Sequence, residues 1–249
     1  MVEQMGQQLT RHSDSTVQPP TIGILSLDTK FPRPIGDAGN PLSYAMPVRV
    51  RIVEGADSPL IVRDGLPGDD MLRRFEEAAR GLEAEGADVI VSTCGFLVTA
   101  QARLARSVRV PVLLSALSLA PLVKVTRPGR VGILTASAKS LGPHVLAAAG
   151  LDAAEVAIRG LDDVPEFRDT ILVTRDAQPA NFDQAVVARA VGERAASLAK
   201  DHPDLSAIIL ECGNLPPYAA SVRAATSLPV FHIVDAANAL AQSGARPAV

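Results

Sequence analysis

The chain has 249 residues, 47% apolar and 20% charged, and its 24 Lys and Arg against 27 Asp and Glu leave a net charge of −3. That composition predicts a packed globular protein of one large or two small domains. With no block of like charge, 3% aromatics and no apolar run of the roughly 18 residues a spanning helix needs, it excludes nucleic-acid binding and membrane binding as its business.

The first twenty residues are polar, lack the apolar stretch of a signal peptide and end in Pro19-Pro20, which predicts a loose arm and a cytoplasmic protein. Residues 21–27 (TIGILSL) form a strand. Residues 28–68 hold six prolines and five glycines around a strand at 48–53, so most of this segment is a long loop, and the part over 28–47 is a candidate lid. Asp69 or Asp70 caps a helix that runs to Gly86. Then follow a strand at 88–92, a helix near 97–107, a strand at 111–114 and an apolar helix near 116–125. A second series begins with a strand at 130–135 (RVGILT), a helix at 138–149 and a short strand at 154–159. Helices near 163–173 and 182–201, strand 207–211, helix 216–226, strand 229–233 and helix 234–242 complete it.

The two series are copies. IGIL at 22–25 and VGIL at 131–134 each open a half, and Cys94-Gly95 and Cys212-Gly213 each stand seventeen residues before a Pro-Val pair, at 111 and 229. Apolar Val/Ile/Leu strands alternating with helices predict parallel sheets covered on both faces. The expected fold is α/β, with two pseudo-symmetric lobes around a cleft: lobe 1 over 21–127 plus about 234–249, lobe 2 over 128–233.

Two cysteines 118 positions apart make no disulfide scaffold, and the four histidines lack ligand spacing, so no metal site is expected. Each cysteine ends an apolar strand just before a helix, where parallel sheets bind ligands. Taken singly, each would pass as a small core hydrophobe. Equivalent placement in a repeat points instead to two thiols facing one small molecule. A helix N-terminus would lower their pKa, and the following glycine would turn the backbone sharply and free its N–H groups. One thiolate taking a proton from one face of a carbon while the opposing thiol delivers another is a means of stereoinversion.

The half-motifs Ser92-Thr93-Cys94-Gly95-Phe96 and Glu211-Cys212-Gly213-Asn214 resemble those of the aspartate/glutamate racemase superfamily, which includes hydantoin racemase, maleate cis–trans isomerase and arylmalonate decarboxylase. The resemblance spans Thr21 to about Leu240 and implies a cofactor-independent enzyme with Cys94 and Cys212 as catalytic thiols. It also implies that the Thr135-Ala136-Ser137 turn helps hold a carboxylate. The chain departs from glutamate racemase in running Ser26-Leu27-Asp28 after the first strand and in carrying Gly95-Phe96 and Gly213-Asn214 after the cysteines. Substrate contacts are therefore expected from Ser26, Asp28, Asn40, Thr93, Gly95, Phe96, Thr135, Ser137, Gly213 and Asn214. Glu211 and His232 are supporting candidates; strand alternation turns Glu211 away from the face of Cys212. Arg33, Arg49 and Arg51 are candidate carboxylate clamps, and Tyr218 is expected to pack.

The leading expectation is a racemase or epimerase of a small carboxylate-bearing substrate. A maleate-type isomerase or malonate-type decarboxylase in the same cleft, and a non-catalytic two-lobed metabolite-binding protein, are the alternatives. The partner expected is a small molecule, with a second copy of the chain offered by the apolar helix at 113–123.

Overall fold

The computed structural model describes residues 19–243, so the expected arm over 1–20 lies outside the described residues except for Pro19 and Pro20. The first half contains β1 (Ile22–Leu27), β2 (Val48–Val53), α1 (Ser58–Ile61), α2 (Asp69–Ala84), β3 (Val89–Ser92), α3 (Gln101–Ser107), β4 (Val112–Leu113) and α4 (Ala120–Thr126). The second contains β5 (Arg130–Thr135), α5 (Pro143–Ala148), β6 (Val156–Gly160), α6 (Pro165–Ile171), α7 (Gln184–Asp201), β7 (Leu205–Leu210), α8 (Ala219–Thr226), β8 (Val230–His232) and α9 (Ile233–Ser243).

Each half builds one four-stranded sheet, in the orders β2-β1-β3-β4 and β6-β5-β7-β8, with every pairing parallel. The two orders are the same path traced twice, which is the duplication seen in the sequence. Strands β1, β3 and β7 are buried along their whole length, as expected where helices cover both faces. The edge strand β2 is mostly open to solvent, with Arg49 and Arg51 among its outward residues. Gly23 of β1 and Gly132 of β5 lie against Leu82 of α2 and Leu198 of α7, so the shared glycine of IGIL and VGIL marks a helix packed close on the opening strand. Helix α2 buries Leu72, Phe75, Ala78, Ala79 and Leu82, a single stripe at helical spacing. The last helix, α9, packs against β1 and β3 of the first sheet as well as β8.

Several helices start later than the sequence pattern suggests, and proline is the usual reason. It has no N–H and is tolerated only in the first turn. Pro121 opens α4, Pro143 opens α5 and Pro165 opens α6, so the helices expected from 116, 138 and 163 are shorter. The helix expected at 97–107 begins as a 3-10 turn over Gly95–Ala100, and the one at 216–226 as a 3-10 turn over Pro216–Tyr218. The cap of α2 is Gly68 rather than an aspartate; Asp69 and Asp70 occupy the first turn, where their charges oppose the helix dipole. Helix α1 was hidden in the long loop; Asp57 caps it by accepting from the Leu60 N–H at 3.1 Å.

Candidate active site

Strands β3 and β7 occupy equivalent places in the two sheets, and each delivers a cysteine just past its C-terminal end. Before Cys94, the Ser92 hydroxyl donates to the carbonyls of Leu114 (2.6 Å) and Cys94 (2.9 Å), which fixes the turn. Cys94 and Cys212 are both buried, and both line one cleft that is partly open to solvent. The two Cys-Gly turns interlock. A methyl group on Gly95 would overlap the Glu211 carbonyl oxygen and carboxylate, and one on Gly213 would overlap the Thr93 carbonyl. Each glycine thus packs against the residue preceding the other half's cysteine. Neither has a positive φ, so close approach between the halves, and not a sharp turn, is what requires glycine there.

The electrostatics reverse one expectation. Backbone N–H groups of Phe96 and Leu97 favour the Cys94 thiolate, as a helix N-terminus should, but burial outweighs them. With the Glu211 carboxylate adding repulsion, Cys94 is pushed up to about 12, and Cys212 well above the ordinary thiol value for the same two reasons. At rest both sulfurs are thiols. Glu211 itself, 1% exposed, is raised to about 7 by burial, against the pull of its hydrogen bonds. Its Oε2 accepts from Thr135 Oγ1 at 2.8 Å, while Oε1 has no partner among the described residues. Glu211 also lines the cleft, so alternation along β7 did not carry it away from the thiols. The chain has left the strand at Leu210, and the period of two no longer applies.

The loop over 28–47 lies against the cleft, lending it Thr29, Phe31 and Arg33, and is fastened to the second half. Ala38 N–H donates to the Gly213 carbonyl (2.8 Å), Lys30 N–H to Gln178 Oε1 (2.8 Å), and Arg175 pairs with Asp28 at 2.7 Å. A hydrogen-bonded chain runs from it to a sulfur. Cys212 Sγ donates to Asn214 Oδ1 (3.4 Å), Asn214 Nδ2 to Asp37 Oδ2 (2.7 Å), and Arg33 to Asp37 Oδ1 (2.7 Å). Arg33 lies on the cleft wall with its guanidinium 4.7 Å from the Phe31 ring centre.

Of the residues singled out from the sequence, Cys94, Cys212, Thr93, Gly95, Phe96, Asn214 and Glu211 line the cleft, and Arg33 is the one of the three arginines that does. Ser26, Asp28, Asn40, Thr135, Ser137, Gly213 and His232 do not line it, for local reasons. Ser26 donates to the Leu27 carbonyl, and Asp28 is held by Arg175 and the Gly55 N–H. Asn40 caps a 3-10 turn through the Leu42 N–H. Thr135 donates to Glu211, and Ser137 caps its own turn at the Ser140 N–H. Gly213 packs on Thr93, and His232 pairs with Asp235 at 3.1 Å, its own pKa lowered by burial. Arg51 pairs with Glu85 outside the cleft. Thr29, Ser58, Val62 and Ile171 line the site without having been expected. They come from an irregular loop, from α1 and the residue that follows it, and from α6, where no local pattern marks a wall. Asp37 is buried behind that wall, and only its place in a Gly-Asp-Ala-Gly turn hinted at a fixed position.

The fold agrees with comparisons to known proteins. Dimethylsulfoniopropionate lyase of Durusdinium sp. clade D is 30% identical over 90% of this chain, which spans 75% of that protein. Dimethylsulfoniopropionate lyase 7 of Emiliania huxleyi is 33% identical over 88% of this chain, and the chain spans only 65% of its length. Among solved structures, unliganded arylmalonate decarboxylase superposes with a TM-score of 0.58 at 18% identity, covering 92% of this chain and 94% of its own. Allantoin racemase from Klebsiella pneumoniae gives 0.58 at 17% identity, covering 90% and 86%. These structural likenesses establish the fold. The family model described as Asp/Glu/Hydantoin racemase matches residues 76–241, from α2 through both cysteines into α9, and the chain belongs to that family.

Proposed function

We propose that the protein is an acid–base enzyme acting at the carbon next to a carboxylate, and that its reaction is an elimination cleaving a sulfonium carboxylate of the dimethylsulfoniopropionate type. The observation that carries this is the placement of Cys94 and Cys212, from equivalent strand ends of the two halves, on the wall of one cleft. One thiolate takes the proton from the α-carbon, and the electron pair becomes the Cα–Cβ double bond. The Cβ–S bond breaks, and its electrons leave with the sulfur as dimethyl sulfide. The product is acrylate, and the thiol returns its proton to water. The opposing S–H supports the charge developing on the carboxylate side.

Two features favour elimination. The relatives at 30% and 33% identity are named as lyases of this substrate. The resting thiols also need an activator: the Glu211 carboxylate disfavours both thiolates, and a cation entering the cleft acts in the opposite sense. A sulfonium substrate brings that charge. Arg33 is placed to meet the carboxylate.

Racemisation is the second reading, favoured by the presence of a thiol from each half, since inversion needs an acid and a base on opposite faces. Incubation in heavy water with dimethylsulfoniopropionate, and separately with single enantiomers of small amino acids and hydantoins, tests both. Dimethyl sulfide and acrylate in equal amounts are expected. Deuterium at a stereocentre with loss of optical rotation, and no sulfide, overturns elimination in favour of racemisation. Neither product overturns both.

A further inference from the structure

A second pocket, partly open to solvent, lies beside the cleft and shares Phe31, Ile171 and Asn214 with it. The chain has only six Phe, two Tyr and no Trp, yet Phe31, Phe167, Phe182 and Tyr218 all line this one space. Two carboxylates, Asp37 and Glu166, also line it, and no Lys, Arg or His does. Arg33 stands on the cleft side, against the Phe31 ring and paired with Asp37, leaving Glu166 as excess negative charge around the cavity. Tyr218 is 5% exposed, and its hydroxyl has no hydrogen-bond partner among the described residues.

We propose that this aromatic cavity seats the methylated onium head of a zwitterionic carboxylate whose reacting carbons lie between the two thiols. The assignment rests on the carboxylate chemistry proposed for the cleft and extends it to the far end of the substrate. A sulfonium or quaternary ammonium has no N–H to satisfy and spreads its charge over methyl groups, so it is held by ring faces and nearby carboxylates. A primary ammonium would need three acceptors. The cavity is poor in them: Asp37 Oδ1 already accepts from Arg33 and Gly39, and its Oδ2 from Asn214. The Tyr218 hydroxyl oxygen is free to face the methyl groups. Positive charge on the cleft side of Phe31 and negative charge on the cavity side give the pair of spaces the polarity of the zwitterion.

The test is calorimetric binding of 3-(trimethylammonio)propanoate against 4,4-dimethylpentanoate, which has the same shape without the cationic charge. The onium compound is expected to bind about tenfold more tightly. Phe182→Leu and Glu166→Gln should each cut that preference roughly three- to fivefold while moving the affinity of 4,4-dimethylpentanoate less than twofold. Phe182 is half-buried and Glu166→Gln keeps the acceptor for the Asp183 N–H, so both variants should fold. Equal binding of the two compounds by the wild-type protein overturns the assignment. Equal binding with dimethyl sulfide still released refutes the cavity alone. A clear onium preference in a protein that releases no sulfide supports the cavity and refutes the elimination.

Discussion

Replacing Glu211 with Gln removes the one buried charge that bears on both sulfurs while keeping an oxygen for the Thr135 hydroxyl. Burial raises the Glu211 carboxyl from 4.5 to about 7. Between those values the unfolded chain has released a proton that the folded chain still holds, so stability present below pH 4.5 is lost as pH rises through 7. A displacement of that size corresponds to about 3 kcal/mol. In the glutamine variant this loss cannot occur. Urea unfolding from pH 5 to 8.5 should therefore show the variant gaining about 3 kcal/mol on the wild-type protein across the range. His232, whose pKa burial lowers, works in the opposite sense, gaining stability as pH rises; it is common to both proteins and cancels in their difference. The same substitution removes the repulsion that disfavours both thiolates, so alkylation of Cys94 by iodoacetamide at pH 8–9 should accelerate roughly tenfold. Parallel stability curves together with unchanged alkylation would refute the reasoning that a single buried carboxylate bears on both thiols.

Cys94→Ser and Cys212→Ser should each lower turnover by roughly 10²- to 10⁴-fold without changing the circular dichroism spectrum, since each removes one member of the proton-transfer pair; full activity in either variant excludes the two-thiol mechanism. Gly95→Ala and Gly213→Ala should each destabilise the protein by about 2–4 kcal/mol in urea, because the added methyl meets backbone of the opposite half and not a yielding side chain. Near-wild-type stability in both would show that the interlock is loose. Thr135→Val deletes a hydrogen bond that favours the charged form of Glu211, so the midpoint of the pH-dependent stability loss should move above 7, by about one unit, in the same unfolding series.

The strands and their parallel sense were legible along the chain because each is a short apolar run between helical patterns, and because the chain states the pattern twice; which strands neighbour each other was not. IGIL and VGIL mark β1 and β5, and the equal spacing from Cys-Gly to Pro-Val marks β3 and β7 with their turns. Both thiols of the candidate site could be read from that repetition alone. Helix starts were legible only roughly, since each interior proline moved a boundary that hydrophobic spacing cannot see.

Tertiary structure decided what those two thiols are like. A helix N-terminus is a local feature, and the donors it promised to Cys94 are present. Desolvation is a non-local property, set by how tightly the other half closes over the sulfur, and it is the larger effect. The same holds for Glu211, Asp37, Arg33 and the aromatic cavity, whose neighbours come from remote parts of the chain. Sequence periodicity records which face of an element is buried; which charges meet there depends on how two finished halves are brought together.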